Sequence, residues 1–149
     1  MELWELLARE SIRDLVTRYN SNGDTGRLTQ VFELFTPDAA MEITSAGGET
    51  RTYRGIEEIK TIFTGAMETF REASDKRTQP AYLRHCIATH QIDLGDQQHA
   101  KGRCYFFVIR ANGLDHWGLY ALMRGWRGRI DATCGCCHGA PQRSRRRSR

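Results

Sequence analysis

The sequence predicts an α+β protein in which helices gather on one side of an antiparallel sheet. Apolar residues recur every three to four positions in the first part of the chain, which is the spacing of amphipathic helices. Short strand-like segments lie between these helices. The second part holds three long segments of strand composition separated by tight turns, so we expect an antiparallel meander there.

The helical segments are bounded by residues that start or stop helices. The first ends at residues 20–23, Asn-Ser-Asn-Gly, and either Thr25 or Asp24 can cap the second. Gly55 begins the third helix, and the polar residues 71–80 after it are expected to form a loop. The expected helices are residues 3–20, 25–35 and 55–70.

The strand segments differ in length on the two sides of the third helix. Two short strands precede it, joined by a Ser-Ala-Gly-Gly turn, and three long ones follow it. The Asn112-Gly113 dipeptide between two apolar runs is a strong hairpin signal. The expected strands are residues 40–44, 50–53, 82–94, 99–110 and 114–123.

The net charge of +4 is concentrated near the C-terminal end. Residues 121–149 hold eight arginines and a single acid, Asp131, so the other 120 residues carry 14 basic and 17 acidic side chains. A nucleic-acid-binding domain carries positive charge on a folded face, and we expect no specific nucleic-acid partner here. We predict one domain over residues 1–130 and a disordered Cys- and Arg-rich tail over residues 131–149.

Location and metal content can also be predicted. The acidic start of the chain lacks the basic residues and apolar run of a signal peptide, and no stretch approaches the ~18 apolar residues of a membrane helix. We therefore expect a cytoplasmic protein without a membrane partner. The odd count of five cysteines argues against a disulfide framework. A zinc site is not expected from the closely spaced Cys134, Cys136, Cys137 and His138.

Five different short motifs occur along the chain, each of them once. They are Ile12-Arg13-Asp14-Leu15 with Arg18-Tyr19 and Asp24, then Leu34-Phe35-Thr36-Pro37-Asp38-Ala39, Tyr53-Arg54-Gly55-Ile56-Glu57-Glu58-Ile59, Arg84-His85 and His116-Trp117-Gly118-Leu119-Tyr120. Together they resemble the SnoaL-like branch of the NTF2-like superfamily over residues 8–120. The resemblance implies an NTF2-like cone, with three helices packed on a curved mixed or antiparallel sheet around an apolar pocket.

The resemblance also implies a chemistry. The family contains polyketide cyclases, scytalone-type dehydratases, a dehydrochlorinase, steroid isomerases, epoxide hydrolases and many non-catalytic members, so fold alone names no reaction. In the dehydratase and dehydrochlorinase branches an aspartate after the first helix orients a histidine base on a central strand. The matching residues are Asp24 and His85. They imply a lyase (dehydratase or dehydrohalogenase) or isomerase that needs no cofactor and acts on a small hydrophobic molecule.

Simpler roles remain open for both residues. Asp24 can cap the second helix, and His85 can be a hydrogen-bonded residue of the sheet. His90 is a rival base. Strict alternation places His85 and His90 on opposite faces of the strand, but a bulge between them would break that parity.

Aromatic residues lie on segments that line the cavity in this family, and we expect them to bind substrate, with core packing as the alternative for each. They are Tyr19, Tyr53, Tyr105, Phe107, Trp117 and Tyr120. Tyr105, Phe107 and Ile109 also form an apolar stripe that a non-catalytic binding or dimerisation module would use. We expect a homodimer or homotrimer.

The chain departs from the family pattern after Tyr120. Residues 126–130, Trp-Arg-Gly-Arg-Ile, can imitate the last strand, but a cysteine cluster and an arginine run follow. We interpret the abrupt change in composition as a shifted reading frame, which translation of the other frames would test. A damaged last strand would make the protein an inactive relic, which is a third functional hypothesis.

Overall fold

A computed structural model describes residues 1–44, 48–75, 82–110, 113–125 and 136–137 of the chain. For some of these residues the structure describes the backbone alone: Phe70, residues 72–75, Arg110, residues 113–125 and residues 136–137. The elements, in chain order, are α1 (Leu3–Asp24), α2 (Leu28–Phe32), β1 (Ala40–Thr44), β2 (Thr50–Arg54), α3 (Gly55–Asp75), β3 (Leu83–Leu94), β4 (His99–Arg110), β5 (Gly113–Gly125) and β6 (Cys136–Cys137).

Helix α1 continues four residues beyond its predicted end. The Asn-Ser-Asn-Gly segment stays helical because its polar groups bond along the helix: Asn20 Nδ2 donates to the Val16 carbonyl at 2.8 Å, and Thr25 Oγ1 donates to the Ser21 carbonyl at 2.7 Å. The turn comes only at Gly26, whose φ of +72° favours glycine. The extension makes Asp24 the last residue of α1.

Helix α2 is much shorter than predicted and has a different start. It spans five residues, its N-cap position is Arg27, and within the described part of the chain no side chain caps it. The prediction that Thr25 or Asp24 caps this helix is therefore wrong. A turn over Thr25 and Gly26 separates the end of α1 from the start of α2.

Helix α3 begins at Gly55, as predicted. The φ of this residue is +77°, and its backbone N–H donates to the Ala39 carbonyl at 2.8 Å. The Glu58 side chain accepts the Arg54 backbone N–H at 2.7 Å, which satisfies a donor at the helix start. The helix runs to Asp75, so the first half of the predicted loop is helical, and residues 76–80 lie outside the described residues.

The described strands form two three-stranded sheets. One has the order β2-β1-β6, with β1 antiparallel to β2 and parallel to the short β6. The other is the fully antiparallel β3-β4-β5 sheet, whose strands match the predicted meander closely. Most of the predicted tail, like residues 126–130, lies outside the described residues.

Strand β3 contains a β-bulge that changes which side chains face inward. Ile87 pairs with Phe106 and His90 pairs with Cys104, so two residues of β3 lie opposite the single residue Tyr105. Residues directly opposite each other share one side of a sheet. Because Phe106 and Cys104 are buried, both His85, before the bulge, and His90, after it, lie on the inner face. The sequence left open which of the two histidines faces inward, and the structure places both on the inner face.

The core lies between the helices and this inner face. A large cluster joins α1, α2, α3, β1 and β4, and a smaller one joins Ile12 of α1 to Ile92 and Ala100 of the sheet. Helix α1 runs along β3, and Arg9 Nη1 donates to the Ile92 carbonyl at 2.6 Å. Among the described residues, no helix is long and apolar enough to cross a membrane.

Candidate active site

The last residue of α1 meets the start of β3 through two hydrogen bonds. Asp24 Oδ1 lies 2.6 Å from His85 Nδ1, and Asp24 Oδ2 accepts the backbone N–H of His85 at 2.8 Å. The two residues are 61 positions apart in sequence. One carboxylate therefore fixes both the ring and the backbone of the same histidine.

The pair is largely removed from solvent. The Asp24 side chain is 7% exposed and that of His85 21% exposed. The His85 ring lies 5.8 Å, between ring centroids, from Phe106, which is buried in the core. Water therefore competes little for the carboxylate–imidazole contact, while the His85 side chain keeps some exposed surface.

Arg84 joins the same two elements from the neighbouring position. Its Nη1 donates to the Asp24 backbone carbonyl at 3.3 Å and to the Leu83 carbonyl at 2.6 Å. A cation at a helix C-terminus is favourable because the last carbonyls carry partial negative charge, and an aspartate there is unfavourable. The negative charge of Asp24 therefore does not stabilise α1. The hydrogen bonds of its carboxylate with His85 of β3 offset this unfavourable electrostatic interaction.

The geometry determines the protonation pattern of the His85 ring. A carboxylate only accepts hydrogen bonds, so in the neutral imidazole the proton lies on Nδ1 and the lone pair lies on Nε2. A histidine held in this tautomer by a carboxylate is suited to accept a proton at Nε2, and the carboxylate stabilises the imidazolium that results. The arrangement can therefore act as a general base.

His90 lies on the same inner face, but its surroundings differ from those of His85. Its Nε2 is buried and has no hydrogen-bond partner in the described part of the chain. Burial, and secondly the positive charge of Arg13, lower the pKa of His90 below its usual 6.5. No carboxylate among the described residues orients its ring, so His85 rather than His90 has the geometry of a base.

Asn20 is a buried polar residue that the sequence analysis missed. It is 6% exposed and lies on the apolar stripe of α1, four residues after Val16 and eight after Ile12. Its Oδ1 atom is buried and, among the described residues, without a hydrogen-bond partner. The signal that could have found it is a polar residue at a position where helical spacing requires an apolar one.

The aromatic residues predicted to bind substrate lie in different places. Tyr19 packs edge-on against Phe35 and Phe63, with centroid distances of 6.1 and 6.0 Å, next to the interior. Tyr53 is half-buried and lines a shallow depression of about 490 Å³, open to solvent, with Arg51, Thr52, Glu58 and Thr61. That depression shares no lining residue with the Asp24–His85 pair, and the predicted enclosed apolar pocket stays a prediction.

Tyr105 and Phe107 lie on the outer face of the β3-β4-β5 sheet. They are 53% and 37% exposed and alternate with the buried residues of β4. The register places Trp117 opposite Phe107, and Tyr120 opposite Cys104. The structure therefore does not bring Tyr105 or Phe107 to the face that holds His85, because strand alternation separates them.

A second aspartate–histidine pair lies at the β3–β4 turn and differs in exposure. His99 Nδ1 lies 3.0 Å from both carboxylate oxygens of Asp96, but the two side chains are 72% and 61% exposed. Asp96 also accepts the backbone N–H groups of Gln98 and His99 at 2.6 and 2.8 Å, as turn residues do. This pair stabilises the turn and has no buried surroundings in which to bind an apolar ligand.

The described residues contain no group of three or more His, Cys, Asp or Glu side chains that could hold a metal ion. The side chains of the C-terminal cysteine cluster lie outside the described residues, and only the backbone of Cys136 and Cys137 is described, in β6.

Comparisons with known proteins bear on the family and the fold of the chain. The SnoaL-like domain family model matches residues 4–135. Among curated proteins, no sequence matches the chain at a significant level. The matched range includes both members of the Asp24–His85 pair and the eight elements of secondary structure from α1 to β5, apart from the first residue of α1.

Several solved structures share the fold. An NTF2-like protein with a cystatin-like fold from Novosphingobium aromaticivorans is 21% identical, with a TM-score of 0.65 over 94% of this chain and 86% of that one. A candidate scytalone dehydratase from the same species is 16% identical, with a TM-score of 0.66 over 93% and 87%. The β subunit of benzoate 1,2-dioxygenase from Burkholderia mallei is 12% identical, with a TM-score of 0.68 over 86% and 88%. At these identities the likeness establishes the fold and confirms the predicted α+β, NTF2-like architecture.

Proposed function

The chain belongs to the SnoaL-like domain family, and from this premise we propose that it is a lyase or isomerase that needs no cofactor and acts on a small hydrophobic molecule. His85 is the general base and Asp24 its orienting partner. The observation that carries the proposal is the 2.6 Å contact between Asp24 Oδ1 and His85 Nδ1 in largely buried surroundings.

The proposed reaction begins with proton transfer from carbon. The lone pair on His85 Nε2 takes a proton from a C–H bond next to a carbonyl or a leaving group. In a lyase, the electron pair of that bond forms a carbon–carbon double bond, and the leaving group departs with its own bonding pair. In an isomerase, the imidazolium returns the proton to another carbon. A positioned base of this kind contributes ~10²–10⁴-fold in rate.

Two observations favour this function over structural roles for the pair. Asp24 is at the helix end where its charge is unfavourable, and both of its oxygens contact His85. The fold is shared with a candidate scytalone dehydratase, which is named for a reaction of this class. The ligand is uncharged in this proposal, because the interior around the pair is apolar.

The proposal can be tested with a simple carbon acid. We suggest following deuterium incorporation next to the carbonyl of 2-tetralone in D₂O by NMR. The wild-type protein is expected to accelerate exchange above the buffer rate, and His85→Gln to abolish the acceleration. His99→Gln is the matched control, because it removes the other histidine that pairs with an aspartate. Exchange no faster than in buffer, or equal in His85→Gln and wild type, contradicts the proposal.

A second proposal concerns assembly, and the exposed aromatic residues of the outer face favour it. We propose that a second copy of the chain covers this face in a homodimer. Tyr105 and Phe107 are exposed side by side on β4, and the register sets Leu119 and Trp117 of β5 opposite them. A face with exposed aromatic side chains suits a two-fold contact because each copy offers the same surface. This interface is compatible with catalysis, since the Asp24–His85 pair belongs to the inner face.

A further inference from the structure

Arg84 links the two main-chain segments that carry the Asp24–His85 pair. Its Nη1 atom donates to the Asp24 carbonyl at the end of α1 at 3.3 Å, and to the Leu83 carbonyl at the start of β3 at 2.6 Å. Arg84 also directly precedes His85 in the chain. One guanidinium group therefore connects the residue that holds the carboxylate to the strand that holds the imidazole.

The carbonyl groups at the end of α1 show why this bond matters. The last four carbonyls of an α-helix have no partner within the helix. In α1, three of them accept hydrogen bonds from residues that follow the helix directly: Ser21, Asn22 and Gly23 accept from Thr25 Oγ1 and from the backbone N–H groups of Arg27 and Gly26. The fourth, that of Asp24, accepts from Arg84, which lies 60 positions further along the chain.

The bond from Arg84 adds a constraint that the carboxylate alone does not provide. The two carboxylate oxygens of Asp24 contact the ring and the backbone of His85, and two contacts still allow rotation about the line that joins them. The bond to the Asp24 carbonyl acts on the main chain and restricts this rotation. A misplacement of about 1 Å in an active site can cost a large part of the rate, so the restriction affects catalysis as well as the fold.

The guanidinium group of Arg84 is itself held in place by an aromatic ring. Its Cζ atom lies 5.9 Å from the centroid of the Tyr82 ring, within the range of a cation–π interaction. Its permanent positive charge is also favourable beside the carbonyl groups of a helix C-terminus. Both side chains are exposed, so Arg84 can be replaced without leaving a cavity in the core.

We infer that Arg84 is a positioning residue for the Asp24–His85 pair. It fixes the end of α1 so that the Asp24 carboxylate meets His85 Nδ1 in the geometry that a general base requires. It acts through Asp24, and no contact between Arg84 and the substrate is part of the inference. The inference rests on the proposed function, because this positioning changes a reaction rate only if His85 is the base.

The first test observes the pair without a substrate. In the full chain with isotope-labelled histidine, the His85 Nδ1–H proton should resonate far downfield, because it bonds to a carboxylate at 2.6 Å, and His85→Gln assigns the signal. Arg84→Met keeps the apolar stem of the side chain and removes its donors. We expect the signal to move upfield and to exchange faster with water in Arg84→Met. In Arg84→Lys, which retains a charged donor, it should stay closer to its wild-type position.

The second test measures the exchange of 2-tetralone. Arg84→Met is expected to lower kcat ~10–10²-fold and to change KM less than about twofold, and Arg84→Lys to recover most of the loss. Arg103→Met is the matched control, because Arg103 is an exposed arginine of the same sheet whose guanidinium group bonds to Gln91. It should match wild type in both tests.

Three results overturn the inference. The first is an Arg84→Met protein that is less stable than wild type but keeps its signal and its kcat, which would show a structural role alone. The second is a lower kcat with an unchanged His85 signal, and the third is an equal effect of Arg103→Met. Failure of the proposed function is distinct: a wild type that does not accelerate exchange refutes the role of His85 as a base, while the His85 signal still decides whether Arg84 positions Asp24.

Discussion

Asp24 holds His85 with both of its carboxylate oxygens, one 2.6 Å from the ring nitrogen Nδ1 and the other 2.8 Å from the backbone nitrogen. The backbone bond anchors α1 to β3, and the ring bond sets the tautomer of the histidine. The two effects can be separated by substitution, because an amide preserves one bond and reverses the polarity of the other.

Asp24→Asn should therefore keep the fold and lose activity. The amide oxygen can still accept the His85 backbone N–H, but the NH₂ group now faces Nδ1 and donates to it, which moves the ring proton to Nε2. The base then has no lone pair toward the substrate, and we expect a ~10²–10⁴-fold loss in the rate of 2-tetralone exchange. Asp24→Ala, which removes both bonds, should also lower the free energy of unfolding. An Asp24→Asn protein as active as wild type would contradict the assignment.

Two glycines at the end of α1 should respond to substitution in opposite directions. Gly26 has a φ of +72°, and a Cβ there would lie 3.2 Å from Met67 Cε, so Gly26→Ala is expected to cost about 1–2 kcal/mol of stability. Gly23 lies within the helix, and a Cβ there meets no atom within 4 Å in the described structure. Gly23→Ala should thus raise the free energy of unfolding by about 0.5–1 kcal/mol. Urea denaturation measures both, and equal effects would contradict the described end of α1.

His90 should make stability depend on pH. Its pKa in the folded state is lowered below 6.5 by burial and by Arg13, whereas the unfolded chain keeps a pKa of about 6.5. As the pH falls below about 6.5, the unfolded chain binds a proton that the folded one does not, so the free energy of unfolding decreases until the folded pKa is passed.

Urea denaturation of wild type and His90→Gln at about pH 7.5 and about pH 5.5 measures this contribution. The variant should lose less stability between the two values than wild type. His99→Gln, which alters an exposed histidine, serves as the matched control and should behave like wild type. The same pH dependence in His90→Gln and wild type would show that His90 is not held neutral in the interior.

The outer face should control the oligomeric state. The double variant Tyr105→Glu with Phe107→Glu places charges in the proposed homodimer interface, where they would be desolvated. Sedimentation velocity is expected to show a dimer for wild type and a monomer for the double variant, with unchanged circular dichroism. Lys101→Glu is the control, because it changes charge on an exposed β4 residue outside the aromatic pair. A monomeric wild type, or a dimeric double variant, rules out this interface.

Most elements could be predicted from local pattern, and the errors have local causes. Gly55 as the start of α3 and the limits of β3 and β4 depend on turn residues and alternation, which neighbouring positions determine. The end of α1 was predicted four residues too early because Asn20, Ser21 and Asn22 are weak helix formers whose polar groups the sequence could not show to be bonded. The same error left Asp24 open as a possible cap of α2, beside its expected role as the partner of His85.

The sequence by itself determined that the chain is an α+β protein, and which aspartate and histidine match a family motif. Only the tertiary structure decided that these two residues touch across 61 positions, and that His90 shares the inner face with His85. The physical reason is that alternation has a period of two within one strand, whereas the bulge after Ile87 is set by pairing with β4. Likewise, the unpartnered Asn20 Oδ1 becomes evident only when α1 is packed on the sheet, because hydrogen bonds and burial depend on residues distant in sequence.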